Sequence, residues 1–264
     1  MKQILYPIIG ISLIFICTTL GALFVFFIRK KEISPKLSKI FTGFAAGVMF
    51  SASFFSLIKP ALESNVVYMP SWLVVVISIV LGAGFLWGID KLTPHLHVRE
   101  NKEEGLSVKR MSKTSKMFLA VTIHNIPEGL SVGIAFGVAL SQPDNAALLL
   151  GALLLAIGIG IQNIPEGAVV SLPIKGETGS SGKAFLFGML SGVVEPIAAV
   201  IGLFLAMQIQ GIMPWALAFA AGCMIYVVAE EMIPEMTSEG HDHFGVWSFI
   251  TGFVIMLALD CIQF

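Results

Sequence analysis

His124-Asn125-Ile126-Pro127-Glu128-Gly129 returns 38 residues later as Gln162-Asn163-Ile164-Pro165-Glu166-Gly167, identical at five of six positions. Each copy lies inside an apolar run long enough to cross a hydrocarbon core, for which about 20 residues suffice. Within each copy the first and fifth residues are spaced i and i+4, which places His124 with Glu128, and Gln162 with Glu166, on one helix face. Neither proline carries an N–H, so Pro127 frees the carbonyl of Ile123 and Pro165 frees that of Ile161. Two proline-kinked helices are therefore expected, and such interruptions are tolerated at membrane depth where the freed groups line a cavity.

The surrounding composition fits that setting. The 264 residues are 56 % hydrophobic and only 12 % charged, about half the charge of a soluble domain, and the mean hydropathy is +0.88. Apolar runs between polar punctuation predict an all-α integral membrane protein, with one transmembrane domain over residues 1–264. Its eight helices are expected near 4–28, 40–62, 71–90, 117–140, 146–172, 184–208, 212–234 and 245–263. The first run is too long for a signal-peptide core and ends in Arg29-Lys30-Lys31, so it reads as a retained helix. Cys17, Cys223 and Cys261 lie far apart in apolar stretches and read as small buried hydrophobes, not a thiolate site. The twelve Met residues are scattered without ligand spacing and read as core filler.

Charge sets the orientation. Fourteen of the sixteen Lys and Arg fall in the first, third and fifth loops; only Lys2 and Lys59 do not. The positive-inside rule places those loops in the cytoplasm and both termini outside, as in a multi-pass protein of the cell (inner) membrane. The polar stretch near 92–115 is expected to be a cytoplasmic linker with little structure of its own. No nucleic-acid partner is expected.

The two repeats should meet. His124 and Glu166 lie six or seven residues from the inner ends of successive spans, so both sit roughly 10 Å inside the cytoplasmic boundary at 1.5 Å per residue. Glu128, Glu166, Glu195, Glu230 and Glu231 all fall within the fourth to seventh spans, which contain no Lys or Arg. A buried carboxylate without a partner costs roughly several kcal/mol or more, so positive charge must come from outside the chain, as a metal ion or as protons. Transporters place ion sites at such helix interruptions. Imidazole nitrogen with carboxylate and amide oxygens suits borderline divalent ions such as zinc, iron(II), manganese or cadmium.

The paired HNIPEG and xNIPEG motifs, eight spans and outward termini resemble the ZIP (Zrt/Irt-like) divalent metal transporter family. Gly47-Val48-Met49-Phe50-Ser51-Ala52-Ser53-Phe54-Phe55-Ser56 and Ala229-Glu230-Glu231-Met232-Ile233-Pro234-Glu235 are similar to its prokaryotic GufA-type branch. The resemblance implies a homodimer with a two-metal centre on the fourth and fifth helices. Its first site would use His124, Glu128, Gln162 and Glu166. Its second would use Asn125, Asn163 and Glu195, with Glu128 and Glu166 bridging. Many relatives have His where this chain has Gln162, which implies a softer preference for zinc over iron or cadmium; Asn163 is acidic in some relatives, which implies a weaker second site.

Met49, Ser56 and Glu63 recur every seven residues along the second span, and with Asp260 they are expected on the outer side of the ion route. Asp90, His95, His97, Glu230 and Glu231 are expected on the inner, release side, and His241-Asp242-His243 occupies the seventh loop. Uptake of zinc into the cytoplasm is then expected by elevator-type alternating access, helices 1, 4, 5 and 6 moving against a dimeric scaffold of helices 2, 3, 7 and 8, a division that the resemblance implies. The competing reading is a proton-coupled carrier of a small organic solute with the carboxylates as proton relays. An enzyme is not expected: no H-E-x-x-H and no compelling nucleophile–base pair is present.

Overall fold

The computed structural model describes residues 2–28, 34–64, 68–92, 95–97, 102–104, 113–142, 144–208, 211–238 and 243–262. Eight helices among them are long and apolar enough to cross a membrane. They are α1 (Lys2–Phe27), α2 (Pro35–Glu63), α3 (Ser71–Leu92), α4 (apolar part Phe118–Ser141), α5 (Ala146–Thr178), α6 (Ser181–Gln208), α7 (Met213–Thr237) and α8 (Phe244–Cys261). Local chemistry fixes several ends. Ser34 caps α2 by accepting the Leu37 N–H, with Pro35 in the first turn where its missing N–H costs nothing. Gly179, at φ 66°, closes α5 in a left-handed turn that a side chain would strain. Ser180 then caps α6 by accepting the Lys183 N–H.

Three departures from regular helix matter. Around Gly192, α6 is interrupted between Ser191 and Val194. α2 widens into a π-helical turn at Ser53–Ile58 and α7 does so at Val228–Met232. Pro60 and Pro234 lie two residues past the ends of these turns. Neither can donate to the carbonyl four residues back, Ser56 or Glu230, and a wider turn absorbs the loss. In the polar stretch after α3, expected to carry little structure, a short antiparallel hairpin pairs β1 (His95–His97) with β2 (Lys102–Glu104), His95 opposite Glu104. The ladder satisfies backbone groups the polar loop would otherwise leave to water. The helix of α4 also reaches back to Lys113.

The helices pair out of sequence order: α1 with α5, α4 with α6, α2 with α8, α3 with α7. Glycine lets these partners touch backbone to backbone. A Cβ on Gly167 would strike the Thr18 carbonyl, one on Gly133 that of Ala199, one on Gly47 that of Phe249, and one on Gly82 that of Phe219. Among the described glycines, every such backbone approach falls within the set α1, α4, α5, α6 or within the set α2, α3, α7, α8. Where Gly158 of α5 meets the second set, it meets the flexible side chain of Met256 on α8. Large apolar side chains such as Trp72 and Phe85 on α3 and Trp247 and Val254 on α8 are exposed, as suits a surface facing lipid.

Candidate metal centre

The two copies of the motif touch. Gln162 Nε2 of α5 donates to Glu128 Oε1 of α4 at 2.7 Å. His124, Asn125, Glu128, Gln162 and Asn163 are buried, and Glu166 is half-buried. Behind them, Glu195 of α6 is fully buried and meets neutral donors only. Its Oε1 accepts from Thr18 Oγ1 at 2.8 Å and Asn125 Nδ2 at 3.1 Å; its Oε2 accepts from Asn163 Nδ2 at 2.8 Å. The break in α6 beside Gly192, where a Cβ would meet the Thr18 side chain, lets α1 come this close.

Five buried atoms of this cluster lack a hydrogen-bond partner: Asn125 Oδ1, Glu128 Oε2, Gln162 Oε1, Asn163 Oδ1 and Glu166 Oε1. All are acceptors. Leaving each unsatisfied costs about 1–3 kcal/mol, more for the charged ones, and a cation relieves several at once. Oxygen donors from carboxylates and amides are ligands for divalent ions.

A cavity of about 80 Å³ opens at this point. His124, Glu128 and Glu166 line it from one helix set, and Met49, Glu231 and Glu235 from the other, while Asn125, Asn163 and Glu195 are not among its lining residues. His124 points across the boundary: its Nε2 lies 3.3 Å from Glu231 Oε1 and 4.0 Å from Asp90 Oδ1. Among the described His, Cys, Asp and Glu side chains, Asp90, His124 and Glu231 form a set whose ligand atoms all lie within 4.8 Å of one another. The structure thus holds two neighbouring constellations, an oxygen-rich one on α4 and α5 and a His-carboxylate one joining α4 to α3 and α7.

Residues 4–117 and 111–260 match a family model described as ZIP Zinc transporter. The chain belongs to the ZIP family. It is 37 % identical to the zinc transporter GufA of Myxococcus xanthus, over 92 % of this chain and 93 % of that one. It is 34 % identical to the zinc transporter ZIPB of Bordetella bronchiseptica, over 97 % and 80 %. It is also 32 % identical to the human zinc transporter ZIP11, over 83 % and 86 %. Membership makes it a multi-pass membrane protein of the metal-transport class and not an enzyme.

In this ZIP protein the remaining expected residues distribute unevenly. Of the residues expected on the outer side, Ser56 Oγ donates to the buried Asp260 at 2.6 Å, joining α2 to α8. Met49 lines the cavity and Glu63 is exposed at the last residue of α2. The seven-residue spacing of Met49, Ser56 and Glu63 does not define one stripe, because the π turn at Ser53–Ile58 shifts the helix phase between them. Of the residues expected on the inner side, Glu231 is half-buried on the α7 π turn and Glu230 is exposed. The side chains of His95 and His97, and all of His241 and Asp242, lie outside the described residues.

Sequence reasoning passed over Thr18, Tyr226 and Glu235. Thr18 is a hydroxyl in the middle of an apolar span, a signal that helix back-bonding usually explains. Tyr226 neighbours Asp90, Glu230 and Glu231, and Glu235 accepts from Ser38 Oγ at 2.9 Å beside the cavity. Pro60 and Pro234 were the available signals for the widened turns.

Proposed function

We propose that this ZIP family protein takes zinc into the cytoplasm through the centre on α4 and α5. The observation that carries the proposal is the set of five buried, unpartnered oxygens on the two motif copies, acceptors without a single donor among them. A cation suits such a set, since it can satisfy several of these oxygens at once, and no Lys or Arg lies in the described parts of those motifs to provide one. The names of the relatives support zinc as the cargo; cadmium, iron(II) and manganese fit the same oxygens and imidazole. A cavity of about 80 Å³ suits an ion with a few waters and falls well short of the roughly 300 Å³ or more of organic-ligand pockets, which disfavours a solute carrier.

Transport is by alternating access of the elevator type. The set α1, α4, α5, α6 carries the ion and slides against α2, α3, α7, α8. Backbone interlock within each set and side-chain contact between Gly158 and Met256 support two rigid bodies with a slippery boundary. Both termini face outward, and the chain works as a homodimer in the cell membrane. Ser56, Glu63 and Asp260 gather ions outside; Asp90, Glu231 and His124 receive them on the way in. Asn125, Asn163 and Glu195 complete the centre behind Glu128, Gln162 and Glu166.

Metal flux into proteoliposomes tests the reading. Glu166→Ala and His124→Ala should each drop zinc uptake to the background of empty vesicles. Wild-type rates for zinc, cadmium and iron in both variants would overturn the site.

A further inference from the structure

Apart from Lys2 at the start of the chain, Lys59 is the only basic residue outside the first, third and fifth loops. It opens the last stretch of α2, Lys59–Glu63, directly after the π turn at Ser53–Ile58. A lysine so near the end of a span ordinarily lays its stem on apolar surface and holds its ammonium among headgroups or water. Lys59 is half-buried, and its charge reaches the carboxyl of Asp260 on α8. The geometry agrees. Ser56 Oγ donates to Asp260 Oδ1 at 2.6 Å, and Lys59 follows Ser56 by three residues, which keeps both side chains on one side of α2. Four residues further on the same side, Glu63 is exposed. A positive charge thus sits among the carboxylates of a route proposed above for cations.

We infer that Lys59 is a tethered competitor for the entering ion: its ammonium is the resident counter-ion of Asp260, and a metal ion enters by displacing it. This depends on the entry route proposed above and concerns what fills that route between ions. Asp260 is buried, and the Ser56 hydroxyl is a neutral partner that does not offset its charge. Lys59 does offset it. A dication carries twice the charge of an ammonium and binds several oxygens at once, so it can take the carboxylate over. The displaced ammonium, on a flexible four-carbon stem, then has Glu63 within reach. Two carboxylates and one ammonium leave the route a single negative charge. That attracts a dication without trapping it, the balance that a permeation path requires.

The experiment is initial zinc uptake into proteoliposomes, measured against zinc concentration for the full chain and its variants. Lys59→Met should lower KM about fivefold or more, since the carboxylate no longer has a resident cation to lose. Lys59→Arg keeps the charge and should not lower KM. Asp260→Asn should raise KM, and adding Lys59→Met to it should leave KM within about twofold of Asp260→Asn alone, because the two residues act as a pair. Should Lys59→Met fail to reconstitute, Lys59→Gln carries the same expectation. A KM that stays or rises in the neutral Lys59 variants overturns the inference and makes Lys59 a structural tie between α2 and α8. So does a fall in KM that persists in the Asp260→Asn background, which would be plain repulsion. If Asp260→Asn leaves KM unchanged, the entry route itself falls; if it raises KM while the Lys59 arm fails, that route stands and only the competitor is lost.

Discussion

Gln162 and Glu128 sit at opposite ends of the two motif copies, first position and fifth, and a 2.7 Å hydrogen bond joins them across the α4–α5 interface. The bond ties up one oxygen of the carboxylate and leaves the other, with the Gln162 carbonyl oxygen, unpartnered. Gln162→Ala should strip the donor from Glu128 Oε1 and cost about 1–3 kcal/mol of order in the centre, read as weaker zinc binding with uptake capacity retained. Gln162→His replaces an amide oxygen by an imidazole nitrogen, so competitive uptake should move toward zinc and away from manganese. An unchanged zinc-to-manganese ratio would show that Gln162 does not face the ion.

His124 lies between the two constellations, 3.3 Å from Glu231. Glu231→Gln and Asp90→Asn should slow uptake while leaving the equilibrium affinity within about threefold, the pattern expected when a later step is impaired and binding is not. Stopped-flow filling of vesicles loaded with a zinc indicator measures it. Equal losses in affinity and rate would assign both residues to the main site.

The Ser56–Asp260 hydrogen bond holds a carboxylate in place on the entry route proposed above. Asp260→Asn should raise KM for zinc without lowering kcat, and the difference from wild type should shrink with added salt, because steering by a fixed charge is screened. A fall in kcat with KM unchanged would place Asp260 in the moving machinery.

The glycine contacts predict two kinds of substitution. Gly133→Ala drives a methyl group into the Ala199 carbonyl, with no way for backbone to yield, and should cost roughly 1–3 kcal/mol or more as overpacking does. Gly158→Ala meets only the Met256 thioether, which can rotate away, so stability should hold. Thermal unfolding in nanodiscs compares them, and equal losses of melting temperature would remove the distinction between locked and yielding interfaces.

Lys175 makes a further tie within the first helix set. Its ammonium donates to the carbonyls of Val25, at 2.5 Å, and Ile28, at 2.7 Å, at the end of α1, capping from another helix what α1 cannot cap itself. Lys175→Met should lower stability by about 1–2 kcal/mol and leave zinc affinity untouched, measured by the same unfolding assay and by titration. An affinity change would place the α1 end in the ion path.

Hydropathy and the repeated motif made the eight spans legible, since span length and the i, i+4 pairing are properties of the chain itself. The facing of Glu128 and Gln162 followed from matching depth. The direction of His124 did not, because whether an imidazole turns toward Glu128 or toward α3 and α7 depends on how helices rotate against one another. Glu195 was found as a carboxylate in a cation-free span, yet its partner Thr18 lies 177 positions earlier, beyond any local pattern. The π turns were written in Pro60 and Pro234, but a proline alone does not say whether a helix kinks, breaks or widens.

The pairing of α2 with α8 and α1 with α5 also governs birth order. Gly47 meets Phe249, about 200 residues downstream, so at roughly 5–20 residues per second α2 waits about 10–40 s after synthesis for its partner. Its glycine-lined groove spends that time against lipid or the insertion machinery. The set α2, α3, α7, α8 is therefore closed later than the set α1, α4, α5, α6, and a chain truncated before α8 would leave the backbone-contact face of α2 without its partner.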